Sequence, residues 1–137
     1  MLSPKEIVDK MMKNDAMSIG MGFEIISISL GKVNLKMTVK ASMLNGFGIA
    51  HGGVSYALSD SCIAFSANTH GKHAVSVETS ISHLAAIREN DVLTTSIQEV
   101  SLSKRFGIYI VSVYNQNNTL VANLKGTMYR KDVEWED

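Results

Sequence analysis

The sequence predicts an α+β domain in which a curled antiparallel sheet wraps around one central helix. Alternating apolar residues predict two strands before residue 40 and four more after residue 74. The segment between them is apolar or small nearly all round, as is typical of a helix buried inside a protein. Short connections between the strands favour antiparallel neighbours. A chain of 137 residues fits one such domain, so we expect a single domain over residues 1–137.

A short helix is predicted at the N-terminus, within residues 1–15. Ser3 and Glu6 have the spacing of a capping box, and Pro4 stands at the first helical position. These residues satisfy backbone donors that a helix start otherwise leaves without a partner. We therefore expect this helix to run to about Asn14.

Two strands follow as a hairpin between residues 23 and 39. Every second residue from Val33 to Val39 is apolar, and Gly31 marks the turn. Residues 41–50 contain several turn formers and are expected to form an irregular connection.

The central helix is predicted from Gly53 to about Thr69, with Gly71 just beyond its end in a left-handed conformation. Strands are then expected at residues 75–84, 92–103, 106–115 and 119–129, separated by polar turns. Residues 132–137 are mostly acidic, and we expect them to form a loose tail.

Composition excludes several classes of partner. Thirteen basic residues balance thirteen acidic residues without runs of either sign, so we expect neither a nucleic-acid partner nor an anionic membrane. No apolar run is long enough to span a bilayer, and the first residues do not resemble a signal peptide, so a cytoplasmic location is expected. The one cysteine, Cys62, excludes an internal disulfide and a paired-cysteine zinc site. It is expected to be a small buried apolar side chain.

The most informative segment is LNGFGIAHGGVSYALSD, which begins with Asn45 in a loop, places His51-Gly52-Gly53 at the start of the central helix and ends with Asp60 near its middle. A helix N-terminus presents free backbone N–H groups and the positive end of the helix dipole. Glycine lets a ligand approach this backbone closely. Such donors can stabilise the oxyanion that forms when a carbonyl becomes tetrahedral.

Asp60 is an isolated carboxylate in an apolar helix, which is rare unless the group is paired or functional. A partly desolvated carboxylate is a stronger base and could activate water or attack a carbonyl directly. Asp60 lies eight residues after Gly52, so about 12 Å separates them on one helix. Both groups reach one carbonyl only if two antiparallel copies of the helix meet across a two-fold axis. The sequence therefore predicts a homodimer with two shared sites.

The motif N-x5-HGG-x6-D, with the two preceding strands and the later segment SVETSISHL, resembles the hotdog-fold thioesterases, in particular the PaaI type of phenylacetate degradation. The resemblance covers the chain from Asn14 to Arg130. It implies hydrolysis of an aryl- or acyl-CoA thioester without a metal or other cofactor, since coenzyme A is part of the substrate. It also implies a dimer of dimers.

The resemblance also implies roles for individual residues. Asp60 matches the general base or nucleophile, and the Gly52 N–H matches the group that polarises the thioester carbonyl. Asn45 and His51 match residues that orient the carbonyl or water and the loop. Ser76 best matches a polar strand residue that positions the water, and Thr79 is the alternative.

Substrate contacts further from the reacting bond are less well defined by the sequence. Gly53 belongs to the same helix start, and Lys104 with Arg105 could hold the phosphates of CoA from a strand turn. An exposed turn can equally be basic without such a role. Relatives commonly carry an Arg-Pro pair where this chain has Ala85 and Ala86, so nucleotide contacts cannot be transferred there.

Other interpretations of the same residues stay open. Asp60 could be a structural carboxylate, and the two glycines could serve only a tight helix entry. His70 and His73 lack a third ligand, so a solvated turn is expected rather than a metal site. Two other functions are considered: an acyl-CoA hydratase or dehydratase, for which the helix offers no second histidine, and a non-enzymatic acyl-CoA binding module.

Overall fold

The computed structural model describes all residues 1–137 and contains three α-helices and six strands. The helices are α1 (Pro4–Lys13), α2 (Ala16–Gly20) and α3 (Gly52–Asn68), and a 3-10 turn covers Ala41–Met43. The strands are β1 (Glu24–Ser29), β2 (Lys32–Thr38), β3 (Lys72–His83), β4 (Val92–Leu102), β5 (Phe106–Tyr114) and β6 (Leu120–Glu134).

The six strands form one antiparallel sheet in the order β1-β2-β4-β5-β6-β3. Strands β1 and β3 are therefore its two edges. β3 follows α3 in the chain and crosses to the far side of the sheet, where it pairs with β6 over its length. This places the start of α3 beside the last residues of β3.

Helix α3 packs across one face of the sheet and contacts strands β2 to β6. Its sequence is apolar or small nearly all round, and ten of its seventeen residues are buried. Gly126 permits the close approach to the sheet, because a Cβ there would lie 2.7 Å from Cδ1 of Ile63. One sheet packed on a central helix, with a short helix at the N-terminus, is the hotdog arrangement that the resemblance implied.

Most of the predicted elements are confirmed. The capping box of α1 is present, with the Ser3 hydroxyl accepting from the Glu6 N–H and the Glu6 carboxylate accepting from the Ser3 N–H. The predicted inward residues of β2 are fully buried, and Gly71 has a φ of +93°. Helix α2, which begins at Asp15 as its N-cap, was not predicted because five residues carry too little periodicity.

The predicted loose tail is wrong for most of its length. Strand β6 continues to Glu134, and the Trp135 indole N–H donates to Asn68 Oδ1 at 2.9 Å. The same indole lies against the ring of His73, with 4.2 Å between ring centroids. Acidic residues on an exposed strand end resemble a solvated tail in sequence, and the one aromatic residue supplies the anchor that fixes the segment.

The expected solvated turn around His70 is also wrong. The His70 side chain is 11% exposed, and its Nε2 lies 2.6 Å from Oε2 of Glu99. No group of three or more histidine, cysteine or acidic side chains is arranged to hold a metal ion. No helix has both the length and the apolar character needed to cross a membrane.

Candidate active site

The start of α3 leaves one backbone donor free. His51 is the N-cap residue, and its Nδ1 accepts a hydrogen bond from the Gly53 N–H at 2.9 Å. The Gly52 N–H makes no hydrogen bond within the subunit. Unpaired N–H groups at a helix start attract negative charge. Gly52 therefore offers the free donor that the sequence predicted, whereas the Gly53 amide, also predicted to contact substrate, is already bonded.

The loop before α3 is held by its own hydrogen bonds. Asn45 Oδ1 accepts from the Phe47 N–H at 2.9 Å and, less directly, from the Ile49 N–H at 3.4 Å. The backbone pairs Asn45 with Ile49 and Ala50 with Ile87. The oxygen of Asn45 thus shapes the loop, while its Nδ2 makes no hydrogen bond within the subunit and can donate to a ligand.

His83 lies against Gly52 and was not identified from the sequence. A Cβ at Gly52 would stand 3.2 Å from His83 Nε2 and 3.3 Å from its Cε1. His83 pairs in register with the buried Ala122, so its side chain faces the helix side of the sheet. The alternation along SVETSISHL could have indicated this, because Ile81 and His83 share one face of β3.

These residues surround a cavity of about 240 Å³ at the N-terminus of α3. Its lining comprises Asn45, Ile49, Ala50, His51, Gly52, Ser55, His83, Ala85, Ala86 and Ile87. Three predicted site residues, Asn45, His51 and Gly52, are therefore brought together with His83. Ala85 and Ala86 form part of the same wall.

Asp60 lies in a second cavity, of about 320 Å³, which it shares with Asp15, Met17, Tyr56, Ala57, Ser61 and Ala64. The side chain is half-buried. Burial raises the pKa of Asp60 above its ordinary value, and the negative charge of Asp15 raises it further. A carboxylate with a raised pKa is a stronger base once it is ionised.

Asp15 is fixed beside Asp60 by helix α2. Its Oδ1 accepts from the Ser18 N–H at 2.9 Å and its Oδ2 from the Ser18 hydroxyl at 2.7 Å. The Ser18 hydroxyl also lies 2.8 Å from the hydroxyl of Ser61, the residue after Asp60. The unpredicted helix α2 therefore contributes one wall of the Asp60 cavity.

Within one subunit the two halves of the predicted site are separate. Gly52 and Asp60 lie on the same unbroken helix, eight residues and about 12 Å apart, and they line different cavities. The subunit alone therefore cannot direct both groups at one carbonyl.

Ser76 and Thr79 lie on β3, the strand beside α3. Ser76 is exposed, makes no side-chain hydrogen bond and pairs in register with the buried Met128, which directs it to the helix side. The Thr79 hydroxyl lies 2.5 Å from the hydroxyl of Tyr56 and is thereby already engaged. Ser76 is consequently the freer of the two to bind water.

Lys104 and Arg105 lie at the other end of the subunit from Gly52. They form the turn before Phe106, which pairs with Tyr129, whereas His83 beside Gly52 pairs with Ala122. Seven residues of β6 separate these positions, which is about 23 Å along the strand. Both basic side chains lie near Asp132. The pKa of Asp132 is lowered chiefly by its hydrogen bond from Lys72, and the charges of Lys104 and Arg105 lower it further.

Cys62 lies inside the core below the site. It is fully buried, and burial raises the pKa of its thiol to about 12. A thiol in this environment is not a nucleophile at neutral pH, and the expectation of a small buried apolar side chain is confirmed.

Comparison with known proteins identifies relatives of the whole fold. The family model of the thioesterase superfamily matches residues 47–122. The acyl-coenzyme A thioesterase PaaI of Escherichia coli is 35% identical over 120 residues, covering 88% of this chain and 86% of the relative. A structure of the E. coli PaaI protein, from the phenylacetic acid degradation operon, superposes with a TM-score of 0.93 and covers 96% of this chain and 95% of that chain at 32% identity.

A second solved relative is a thioesterase protein of Streptococcus pneumoniae with bound coenzyme A. It is 28% identical, with a TM-score of 0.85, and the match covers 92% of this chain and 98% of that chain. Structures of that protein also exist in which an aspartate, or a threonine sixteen residues after it, is replaced by alanine.

Proposed function

The chain belongs to the thioesterase superfamily and is a thioester hydrolase of the PaaI type, and we propose that it splits an aryl- or medium-chain acyl-CoA into the free acid and CoA. Phenylacetyl-CoA and related aryl thioesters are the first candidates, given the operon of the E. coli relative. The observation that carries the proposal is the helix α3, with a free Gly52 N–H at its start and a half-buried Asp60 two turns later.

The proposed reaction begins when the thioester carbonyl oxygen accepts the Gly52 N–H. The Asp60 carboxylate takes a proton from water while the water oxygen forms a bond to the carbonyl carbon. The resulting oxyanion is stabilised at the helix start. When the oxyanion collapses, the C–S bond breaks, and the leaving thiolate receives the proton from Asp60.

A second route uses the same residues. Asp60 attacks the carbonyl carbon, the thiolate leaves with a proton from solvent, and water then hydrolyses the acyl-aspartyl anhydride. The two routes differ in where the oxygen of water ends. A single turnover in ¹⁸O-labelled water, followed by mass spectrometry, places ¹⁸O in the Asp60 carboxylate on the nucleophilic route when that water attacks the aspartyl carbonyl. It places ¹⁸O only in the product acid on the general-base route.

Ser76 is proposed to position the water. It follows Asp60 by sixteen residues, the spacing that separates the aspartate and the threonine replaced in the S. pneumoniae relative. A serine hydroxyl, like a threonine hydroxyl, can both donate to and accept from water. Ser76→Ala should therefore lower kcat, and Ser76→Thr should retain most of it.

The site is proposed to form across a homodimer. Strand β3 is an edge of the sheet, and its exposed Val75 and Val77 are 41% and 56% accessible in the single subunit. A twelve-residue edge with exposed apolar side chains is an aggregation hazard unless another strand covers it. A second β3 running antiparallel would cover this edge and bring the start of one α3 towards the middle of the other.

The same two-fold arrangement gives Lys104 and Arg105 a role. They lie at the end of the subunit where β3 begins, whereas Gly52 lies where β3 ends. Antiparallel pairing of two β3 strands therefore brings the basic turn of one subunit towards the Gly52 cavity of the other. We propose that these side chains bind CoA phosphates there.

Release of free thiol from a panel of aryl- and acyl-CoA thioesters tests the activity, with Asp60→Asn as the critical variant. We expect kcat to fall by a factor of about 10³ or more, since the variant keeps the size of the side chain and removes the base. An Asp60→Asn enzyme with the wild-type rate would exclude both routes. Retention of activity in EDTA is expected, because the proposed chemistry uses no metal or added cofactor.

Subunit complementation tests the shared site. Asp60→Asn and Gly52→Val are each expected to be nearly inactive, and co-refolding them gives mixed dimers in which one of the two sites has both native residues. Activity should recover to about half of the wild-type value per mixed dimer. If each site belonged to one subunit, mixing would recover nothing. Light scattering measures the dimer and reports whether dimers pair further into the tetramer that we also propose.

The phosphate contacts are tested by comparing acyl-CoA with acyl-pantetheine, which lacks the phosphates. Lys104→Glu with Arg105→Glu should raise KM for acyl-CoA about tenfold or more and leave acyl-pantetheine unaffected. Lys32→Glu, in the hairpin between β1 and β2, is the matched control. An equal effect on both substrates would contradict phosphate binding.

A hydratase is a weaker second candidate. His83 supplies the histidine that the central helix lacks, but it lies beside Gly52 and makes no hydrogen bond to a carboxylate within the subunit. Incubation with an enoyl-CoA distinguishes the two activities, because hydration proceeds without release of thiol.

A further inference from the structure

The free donors at the start of α3 are fewer than an oxyanion site usually has. The Gly53 N–H is bonded to His51, so the backbone contributes the Gly52 N–H alone. Sites that stabilise a tetrahedral oxyanion aim several preorganised donors at it, and the loss of one donor costs about 10² to 10³ in kcat. A second donor is therefore expected among the side chains of the cavity.

Three other polar side chains in that cavity already make hydrogen bonds within the subunit. His51 accepts from the Gly53 N–H through Nδ1, and the Ser55 hydroxyl is buried and directed towards Gly52 O at 3.5 Å. Asn45 uses its Oδ1 for two amides of its loop and keeps its Nδ2 as a further donor to the same cavity. The imidazole of His83 makes no hydrogen bond within the subunit and is exposed to the cavity. It is the polar ring in this lining with both nitrogens free.

The position of His83 fits a donor to the same oxygen. Its Nε2 lies 3.2 Å from the Cβ position of Gly52, and that position is about 2.5 Å from the Gly52 nitrogen in standard geometry. The two nitrogens are therefore at most about 5.7 Å apart. Two donors that each lie 2.7–3.1 Å from one oxygen can be separated by as much as about 6 Å, so one oxygen can bridge them.

From this geometry we propose that His83 is a catalytic residue whose Nε2–H donates to the thioester carbonyl oxygen together with the Gly52 N–H of the same subunit. The inference rests on the proposed thioesterase function and adds a residue to it. His83 gives no proton away, since it stabilises the oxyanion by a hydrogen bond and keeps its N–H when the oxyanion collapses. A side chain at position 52 would crowd this contact, because a Cβ there would lie 3.2 Å from His83 Nε2 and the ring would have to shift by a few tenths of an ångström.

The kinetic test compares His83→Phe, which keeps a ring but has no donor, with His83→Gln, which keeps a side-chain N–H. His83→Phe should lower kcat about a hundredfold with KM changed less than about threefold, and His83→Gln should recover at least tenfold of that loss. Ser82→Ala is the matched control, because Ser82 is exposed and points to the opposite face of β3. A His83→Phe enzyme within twofold of the wild-type kcat would overturn the proposal.

A binding test separates this inference from the proposed function. A ketone analogue of the substrate, with CH₂ in place of sulfur and ¹³C at the carbonyl, can bind but cannot be hydrolysed. Donors to the oxygen move the carbonyl ¹³C resonance downfield, and we expect His83→Phe to lose part of that shift while the analogue stays bound. An unchanged shift would overturn the role of His83. A wild-type protein that binds the analogue with this shift but hydrolyses no thioester would instead contradict the proposed function.

Discussion

The polar groups at the two ends of helix α3 differ in how completely they are hydrogen-bonded. At the N-terminal end, the Gly52 N–H and the ring of His83 have no partner within the subunit. At the C-terminal end, Asn68 is 2% exposed and every hydrogen-bonding position of its side chain is used. The N-terminal end therefore has free polar groups, whereas the hydrogen bonds of the Asn68 side chain at the C-terminal end are complete.

Asn68 and Thr69, with the groups that they bond, form a C-terminal cluster that connects four parts of the fold. Asn68 Nδ2 donates to the carbonyls of Ala64 and Ala74, and its Oδ1 accepts from the Ala74 N–H and the Trp135 indole. The Thr69 hydroxyl accepts from the Gly31 N–H at 2.7 Å. Buried polar groups that are fully bonded fix one arrangement of a core.

The contrast separates residues that hold the fold from residues that are available for chemistry. The groups at the N-terminal end are exposed, so water can bond them and they cost little stability while no ligand or second subunit is bound. The side chain of Asn68 at the C-terminal end has no free position for a ligand. Substitutions at the two ends should consequently affect different measurements, and two further substitutions test the Asp60 cavity that lies between the ends.

The largest effect on stability is expected from Asn68→Ala. The substitution removes hydrogen bonds to the buried backbone N–H and carbonyl of Ala74 and to the half-buried carbonyl of Ala64, so the free energy of unfolding should fall by about 3 kcal/mol. Denaturant unfolding measures this loss. Asn123→Ala, which removes one half-buried bond to Ser112, is the control and should cost about 1 kcal/mol. Equal losses would show that the C-terminal cluster stabilises the fold no more than one half-buried hydrogen bond does.

At the other end, Gly52→Ala should reduce activity with little effect on stability. Its Cβ would lie 3.2 Å from His83 Nε2, so the ring has to shift by a few tenths of an ångström, which disturbs both donors, and kcat should fall about tenfold. The free energy of unfolding should change by less than about 1 kcal/mol, since alanine is a good helix former. Gly20→Ala, with open space around the added Cβ, is the control. A loss of stability without a loss of kcat would reverse the interpretation of this end.

Sequence patterns gave almost no indication of the C-terminal cluster, whereas half of the N-terminal site could be predicted. The HGG run and Asp60 stand close together in the chain, so periodicity and spacing were enough to place them on one helix and to infer a second copy. Asn68, Trp135 and His83 meet their partners through the pairing of β3 with β6, which a local pattern does not contain. Asp15 was missed for a similar reason, because helix α2 is too short to show a period.

Asp15→Asn should shift the pH dependence of the proposed reaction. Titratable groups that face Asp60 are Asp15 from the start of α2 and Tyr56 from α3 itself. The charge of Asp15 raises the pKa of Asp60, so its removal should move the acid limb of the kcat/KM profile to lower pH. Asn still accepts from the Ser18 N–H, which preserves the start of α2. Asp9→Asn is the control, and a limb that stays in place would mean that Asp15 acts only as a helix cap.

The smallest expected effect is that of the Asp60 charge on the stability of the folded protein. Burial raises the pKa of Asp60 in the folded protein, so ionisation is easier in the unfolded chain and folding is penalised as pH rises through and above the ordinary value of 3.8. Asp60→Asn should therefore raise the thermal midpoint at pH 7, and the gain should vanish as pH falls below 3.8. Asp132→Asn is the opposite case, because its hydrogen bond from Lys72 lowers the pKa of Asp132, and its removal should lower the midpoint slightly at pH 7. A lower midpoint for Asp60→Asn would mean that a cation supplied by the partner subunit compensates the charge of Asp60. In that case Asp60 would stabilise the fold.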